Sequence, residues 1–414
     1  MSKRIILCLD GTWNSTFQPV ERDDKTTVLK PTNVLKLSRA ILPMGKKKTT
    51  QLTYYDSGVG ALGLYPGVSN KLLNFFDSKL GGAWGAGFEA NIEQAVNFLS
   101  MNYEKGDEVF VFGFSRGAAQ SRGLCQFLDW MTGLPPKKDA YYIPLFFQEY
   151  LKTQGMGDPA SVRSERRGDE PFERLLPLKI KFLGVWDTVM ALGSRFKAID
   201  STSEEKRSFH VRPLLPEIVE TAYHAVAIDE VRFDFRPEIW TEYHDGQTLV
   251  QNWFAGAHGN VGGSYGNDGM ANSALHWIVD AAKEAGLDVD DAFLGYYRPY
   301  PLDTLGETYT NLYKISDAIR FRYRKGTRSM TGYPERANLT LHPSTLVRLT
   351  AIPMNYDRMD QEYDPENLTD YLKQFGPDYG MYLDSIGFKE YLKSVDYKIL
   401  EDVPNITLKT LSEL

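Results

Sequence analysis

The chain has 414 residues, enough for one large core with insertions or for two domains, and its 42% hydrophobic and 24% charged content is that of a folded soluble protein. A net charge of −7 argues against nucleic acid as a partner. Two cysteines, Cys8 and Cys125, exclude a disulfide framework and point to synthesis in a reducing compartment.

Ile5 to Leu9 reads as a short buried strand running into the turn-rich Asp10-Gly11-Thr12-Trp13-Asn14. An apolar run of five residues that ends in an acid is too short for a signal peptide. No stretch approaches the roughly 20 apolar residues of a membrane-spanning helix. The expected location is cytoplasmic as synthesised, with any export by a route that uses no cleaved signal. Residues 15–31 read as a polar loop, and Asn33 to Leu42 has helical spacing that stops before Pro43. Gln51 to Tyr55 is a second strand, followed by a glycine-rich rim over residues 57–87. Gly87 to Tyr103 is an amphipathic helix with Ile92, Ala95, Val96 and Leu99 on one face.

Glu108 to Phe112 has the composition of a buried parallel strand, and Ala118 to Leu124 opens a helix. Residues 133–177 lose the pattern and read as a lid-like insertion that carries the aromatic run Tyr141 to Phe147. Lys179 to Trp186 is a strand ending in Asp187-Thr188, and residues 190–215 are a second insertion. Ile218 to Ile228 reads as a helix, Leu249 to Phe254 as the last core strand and Ala271 to Ala285 as a helix. Five strands alternating with helices predict an α/β fold, a mostly parallel sheet with helices on both faces. The expected division is a catalytic domain over residues 1–290 and a C-terminal cap or flanking region over 291–414.

Between the third strand and its helix lies Gly113-Phe114-Ser115-Arg116-Gly117. Strand, G-x-S-x-G, helix is the setting of a nucleophile elbow. Gly113 and Gly117 let the arms of a strained turn close, and the Ser115 hydroxyl projects toward the helix N-terminus. A serine hydroxyl needs a base, and the base needs an acid to orient it. Asp187 closes the next strand; its alternative reading is a turn or helix-cap carboxylate, and Asp200 is a weaker rival. His258 follows the last strand among Gly256, Gly259, Gly262 and Gly263, and His342 is the runner-up. The order Ser115, Asp187, His258 is the one α/β-hydrolases use. For the oxyanion hole the expected donors are the backbone N–H of Arg116 and that of Gly11 or Thr12, with Asp10 bracing the turn. No metal motif and no glycine-rich nucleotide loop occurs, so neither a metal nor a cofactor is expected.

Six stretches then form a recognisable set: Leu7 to Asn14, Tyr55 to Gly60, Gly113 to Ala118, Gly184 to Val189, His224 through Trp240, and Trp253 to Tyr265. In that order they resemble an α/β-hydrolase family first catalogued as a domain of unknown function. Its best-known members are phospholipase effectors of the bacterial type VI secretion system. The resemblance covers roughly residues 4–285 and implies Ser115 as nucleophile, Asp187 as acid, His258 as base, and cofactor-free hydrolysis of a lipid or other ester. Where the family often carries an acid two residues after the histidine this chain has Asn260, and Ser264 stands where glycine is more usual. Asp229-Glu230 before Arg232 reads as an ion-pair network.

The aromatic run 141–147 and the rim 57–87 either flank a cleft for an ester with an apolar acyl chain or, for the aromatics, pack a small core of the lid itself. Peripheral contact with a membrane is compatible with the Tyr and Trp content, although no basic amphipathic helix provides an anchor. The leading expectation is a serine esterase of phospholipase type. A non-catalytic scaffold with the hydrolase fold and an acyltransferase using the same three residues are the alternatives. The oligomeric state leaves no mark in the sequence.

Overall fold

Strands covered on both faces need near-continuous apolar runs, and the chain supplies them repeatedly. The computed structural model describes residues 2–11, 19–21, 27–29, 31–58, 83–164, 175–190, 211–306, 326–352, 362–394 and 407–408. Its central sheet is built from β1 (Arg4–Leu9), β2 (Gln51–Asp56), β3 (Glu108–Phe114), β4 (Ile180–Trp186), β5 (Thr221–Ala227), β6 (Thr248–Phe254) and β7 (Leu339–Leu341). The spatial order is β2-β1-β3-β4-β5-β6-β7, with every neighbouring pair parallel. The chain moves from β1 to one side and returns from β3 to the other. The carboxyl edge between β1 and β3 is therefore the switch point, where α/β sheets place their ligands.

Alternate side chains of the strands feed two cores. Ile5, Leu7, Leu9, Val109, Val111, Leu183 and Val185 face the helices α2 (Ala83–Asn102) and α3 (Arg116–Met131). Ile6, Cys8, Phe110, Phe112, Phe182 and Trp186 face α1 (Asn33–Ala40) and a helix over Gly269–Glu284. Trp186 donates its indole N–H to the Ala274 carbonyl at 3.1 Å, which fixes that helix against β4. A third cluster joins Val226, Trp253 and Ala255 to Leu341, Leu346, Leu368, Tyr371 and Phe388 at the far edge of the sheet.

Three expectations are corrected. Ile218 to Ile228 is not a helix, because Thr221–Ala227 forms β5 between β4 and β6. Its alanines carry helix propensity, but small residues also suit a strand covered on both faces, and tertiary packing decides. Among the described residues the sheet has seven strands rather than five, since Leu339–Leu341, beyond the expected boundary at 290, pairs with β6. The aromatic run is not cleft lining. Residues 143–153 form helix α4, whose Phe147 and Tyr150 rings lie 4.9 and 5.4 Å from Phe127 of α3, inside the core. Tyr141, before that helix, is exposed. Most of the rim 57–87 and of the insertion 190–215 lies outside the described residues, as does part of 133–177.

Gly184 of β4 lets the Gly269–Glu284 helix approach, because a Cβ there would stand 2.6 Å from Ile278 and 2.8 Å from the Phe112 ring. Gly184→Ala is expected to destabilise the fold by about 1–3 kcal/mol through overpacking. A urea denaturation midpoint that moves down with an unchanged slope is the result that checks it.

Candidate active site

β3 ends at Phe114 and α3 begins at Arg116, so Ser115 alone makes the turn. It does so at φ 58° and ψ −123°, a conformation that side chains with a Cβ rarely adopt. The Ser115 N–H donates to the Trp186 carbonyl at 3.0 Å, and its own carbonyl accepts the Ala119 N–H at 3.2 Å. The expected glycines are required sterically. A Cβ on Gly113 would stand 2.4 Å from the Gly117 carbonyl oxygen, and one on Gly117 would stand 2.2 Å from that of Leu9. Strand β1, the elbow and α3 touch backbone to backbone.

Asp187 follows β4 at φ 40°, with its N–H donated to the Ala225 carbonyl at 2.7 Å. It is fully buried. Oδ1 accepts the Ala227 N–H at 3.0 Å and Arg328 Nη1 at 2.6 Å, while Oδ2 takes Arg328 Nη2 at 3.0 Å. Oδ2 also lies 2.6 Å from His258 Nδ1. Burial by itself raises the Asp187 pKa, but the Arg328 guanidinium and the His258 hydrogen bond outweigh it and hold the carboxyl well below the usual range.

His258 opens the short helix α5 (His258–Gly262) directly after β6, and Gly256 makes the bend at φ 108°. Helix α6 (Gly269–Glu284) follows. His258 Nε2 lies 2.8 Å from Ser115 Oγ. With an ionised carboxylate at Nδ1, the proton sits on Nδ1, and Nε2 accepts the Ser115 hydroxyl. The rings of Phe114 and Phe235 lie 4.7 and 5.1 Å from the imidazole and cover it. That burial lowers the His258 pKa; Asp187 opposes the shift, and Arg232 adds to it.

Of the expected oxyanion donors, Arg116 takes the first position of α3, where backbone N–H groups point out of the helix end. Gly11 does not fit that role as expected, because its N–H donates to Asp10 Oδ1 at 2.7 Å. Asp10 Oδ2 accepts Thr32 Oγ1 at 2.5 Å and the Tyr55 hydroxyl at 2.8 Å, which is the bracing expected of it. Thr12 and the rival Asp200 lie outside the described residues. Glu230 is buried and takes Arg232 through Nε at 2.8 Å and Nη2 at 2.7 Å, an ion pair as expected. Asp229 instead accepts the Gly256 N–H at 2.6 Å and the Tyr363 hydroxyl at 2.8 Å.

Two other described histidines have structural work. His342 caps helix α7 (Pro343–Thr350), bonds Ser344 Oγ at 2.7 Å and stacks on Phe254 at 4.3 Å, and burial lowers its pKa to about 3. His224 lies in β5 rather than in a helix, accepts the Thr188 N–H at 3.1 Å and is likewise lowered by burial to about 3. Arg328 was not among the expected site residues. It lies 141 positions beyond the acid, in no motif, and its charge alone gave no signal. Among the described residues no cluster has the composition of a metal site, and no helix is long and apolar enough to cross a membrane.

A parallel α/β sheet with a strained serine at its switch point, joined by hydrogen bonds to a histidine and an acid, defines an α/β-hydrolase-type chain. Residues 3–281 match the family model described as the catalytic domain of Tle1-like phospholipase effectors of the type VI secretion system, and the chain belongs to that family. It is 28% identical over 247 residues to the uncharacterized protein YEL023C of Saccharomyces cerevisiae, covering 58% of this chain. The matched part spans only 33% of that yeast relative. Among solved structures, an uncharacterized protein from Pseudomonas aeruginosa is 16% identical at a TM-score of 0.41, covering 93% of this chain and 60% of the other. The Tle1 effector bound to the VgrG spike of the type VI secretion system is 17% identical at the same TM-score of 0.41, covering 82% and 83%.

Gly117→Ala is expected to force α3 away from β1 and move Ser115 relative to His258. A displacement near 1 Å costs on the order of 10²-fold in reactivity. The rate at which a fluorophosphonate labels Ser115, beside the melting temperature, measures both consequences.

Proposed function

We propose that the chain is a serine hydrolase of carboxylic esters, of the lipid or phospholipid class, working through an acyl-enzyme on Ser115. The observation that carries this reading is the continuous hydrogen-bonded line from Ser115 Oγ through the His258 ring to Asp187, at 2.8 and 2.6 Å. Membership of a phospholipase-effector family supports the lipid class of ester.

In this mechanism Ser115 Oγ attacks the ester carbonyl while His258 Nε2 takes its proton. Asp187 holds the Nδ1 tautomer and stabilises the imidazolium. The Arg116 N–H and the N-terminal end of α3 face the oxyanion. Collapse of the tetrahedral intermediate expels the alcohol, which receives the proton from Nε2. Water then repeats the sequence on the acyl-serine and releases the acid. An alcohol in place of water gives the acyltransferase version. The non-catalytic alternative is disfavoured by the strain at Ser115, which a scaffold has no need to hold.

Ser115→Ala is expected to abolish hydrolysis of p-nitrophenyl esters and of phospholipid, and to abolish fluorophosphonate labelling, with an unchanged melting temperature. Asp187→Asn should lose roughly 10⁴-fold in kcat by favouring the wrong tautomer. His342→Gln should leave catalysis near wild type, since that imidazole bonds Ser344. Equal damage from His342→Gln and His258→Gln would sink the base assignment.

The pH dependence has a definite sign. His258 must be neutral to accept the proton, and its pKa is lowered in the folded protein. Activity should therefore persist below about pH 6.5, the ordinary histidine value. It should be lost only as pH falls through the depressed value. An acid midpoint of kcat/KM above 6.5 would contradict the burial argument.

A further inference from the structure

Arg328 lies outside the residues that match the family model, 3–281, yet it makes two of the polar contacts of the buried acid. Resting on the hydrolase reading above, we propose that Arg328 is a positioning residue for Asp187, its fork fixing the carboxylate and its charge cancelling the acid's, so that His258 serves as base at lower pH.

The geometry carries this. Nη1 reaches Oδ1 at 2.6 Å and Nη2 reaches Oδ2 at 3.0 Å, a two-point grip that sets the plane of the carboxylate. Nη1 also donates to the Ala227 carbonyl at 2.7 Å, and Nη2 donates to that of Phe235. The guanidinium is itself located by β5 and by the turn whose Phe235 ring covers His258. Its backbone is held in turn, since Asn367 of helix α8 (Glu366–Lys373) donates to the Arg328 carbonyl at 3.0 Å and to that of Ile228 at 3.3 Å.

The charge argument follows from what surrounds the pair. Arg232 and Glu230 also act on His258, but they neutralise each other in a bidentate pair. His224, whose other charged neighbour is Arg122, is lowered to about 3 and stays neutral. Tyr265 is raised to about 12 by burial and is neutral too. Asp229 faces Arg328 and Arg348 and is raised by burial, with Tyr363 and Gly256 at its carboxylate. Burial is the largest influence on His258 and Asp187 is the chief one opposing it, so Arg328 acts on the ring through the carboxylate that it grips. A lone Asp187 carboxylate would favour the imidazolium; with a guanidinium on the same carboxylate, adding a proton to the ring makes a net cation in a buried site.

The test measures the rate of fluorophosphonate labelling of Ser115 against pH in the full chain, for wild type, Arg328→Gln and Arg328→Lys, with Ser115→Ala as blank and circular dichroism as the check of folding. Expected is a wild-type acid midpoint below 6.5, a midpoint about one unit higher in R328Q with a plateau at least tenfold lower, and in R328K a lowered plateau with the wild-type midpoint. A folded R328Q with an unmoved midpoint overturns the proposal, and so does a R328K plateau equal to wild type. Should R328Q not fold, the wild-type midpoint and the R328K plateau carry the test, and a wild-type midpoint at or above 6.5 overturns the proposal. A wild type that is not labelled at any pH, or an S115A variant labelled equally, removes the hydrolase reading itself. Labelled wild type with an unmoved R328Q midpoint removes only the role of Arg328.

Discussion

A carboxylate with no solvent exposure is the demand around which the site is arranged. Taking an ion of that size out of water costs several kcal/mol even after relaxation, and only close, well-aimed partners offset it. Asp187 finds them on the backbone at the end of β5, on the imidazole after β6 and on Arg328. Once the carboxylate is fixed, the Nδ1–H of His258 has one place to point. Nε2 is then turned toward Ser115, and the phenyl rings of Phe114 and Phe235 close over the imidazole. Remove the acid's partners and both the tautomer and the orientation of the base lose their cause.

That Ser115, Asp187 and His258 would meet was legible in the sequence because each is announced locally. An apolar strand stops and a chemically capable residue follows, with glycines where backbone must approach backbone. β5 was hidden because Thr221–Ala227 carries three alanines and a histidine, which reads as a helix. Only the fold shows that His224 is satisfied by Thr188 and Gln251. β7 is three residues long, too short for any periodic signal. Arg328 was invisible for a different reason: its role exists only through contacts with residues about 90 to 140 positions away, and no spacing rule reaches that far.

The departures from the family pattern also acquire physical content. Asn260, in place of the more usual acid, accepts the Ala257 N–H at 3.2 Å and the Gly306 N–H at 3.0 Å, and donates to the Thr304 carbonyl at 3.2 Å. An amide supplies both a donor and acceptors there, whereas an ionised acid would offer only acceptors. Ser264, where glycine is more usual, sits at φ 86°, a region that costs a residue with a Cβ. Neither change touches the Ser115–His258–Asp187 line. Both affect how the loop after β6 is held.

That loop matters because the three site residues reach the carboxyl edge by two different routes. Ser115 and Asp187 stay in the sheet's register one residue past their strands: the Ser115 N–H bonds Trp186 and the Asp187 N–H bonds Ala225, each on the next strand over. Their separation is therefore inherited from strand spacing, and their positive φ values turn the side chains out of the pleat. His258 comes from β6, with β5 lying between β6 and the acid's own strand. It has to be carried back across the top of β5 by the bend at Gly256 and the single turn of α5. Arg328 approaches the same gap from the C-terminal part of the chain, bonding the Ala227 carbonyl at the end of β5. The top of β5 is thus where the two routes meet. Contacts from the C-terminal part of the chain and the bend that carries His258 therefore converge on the same end of one strand.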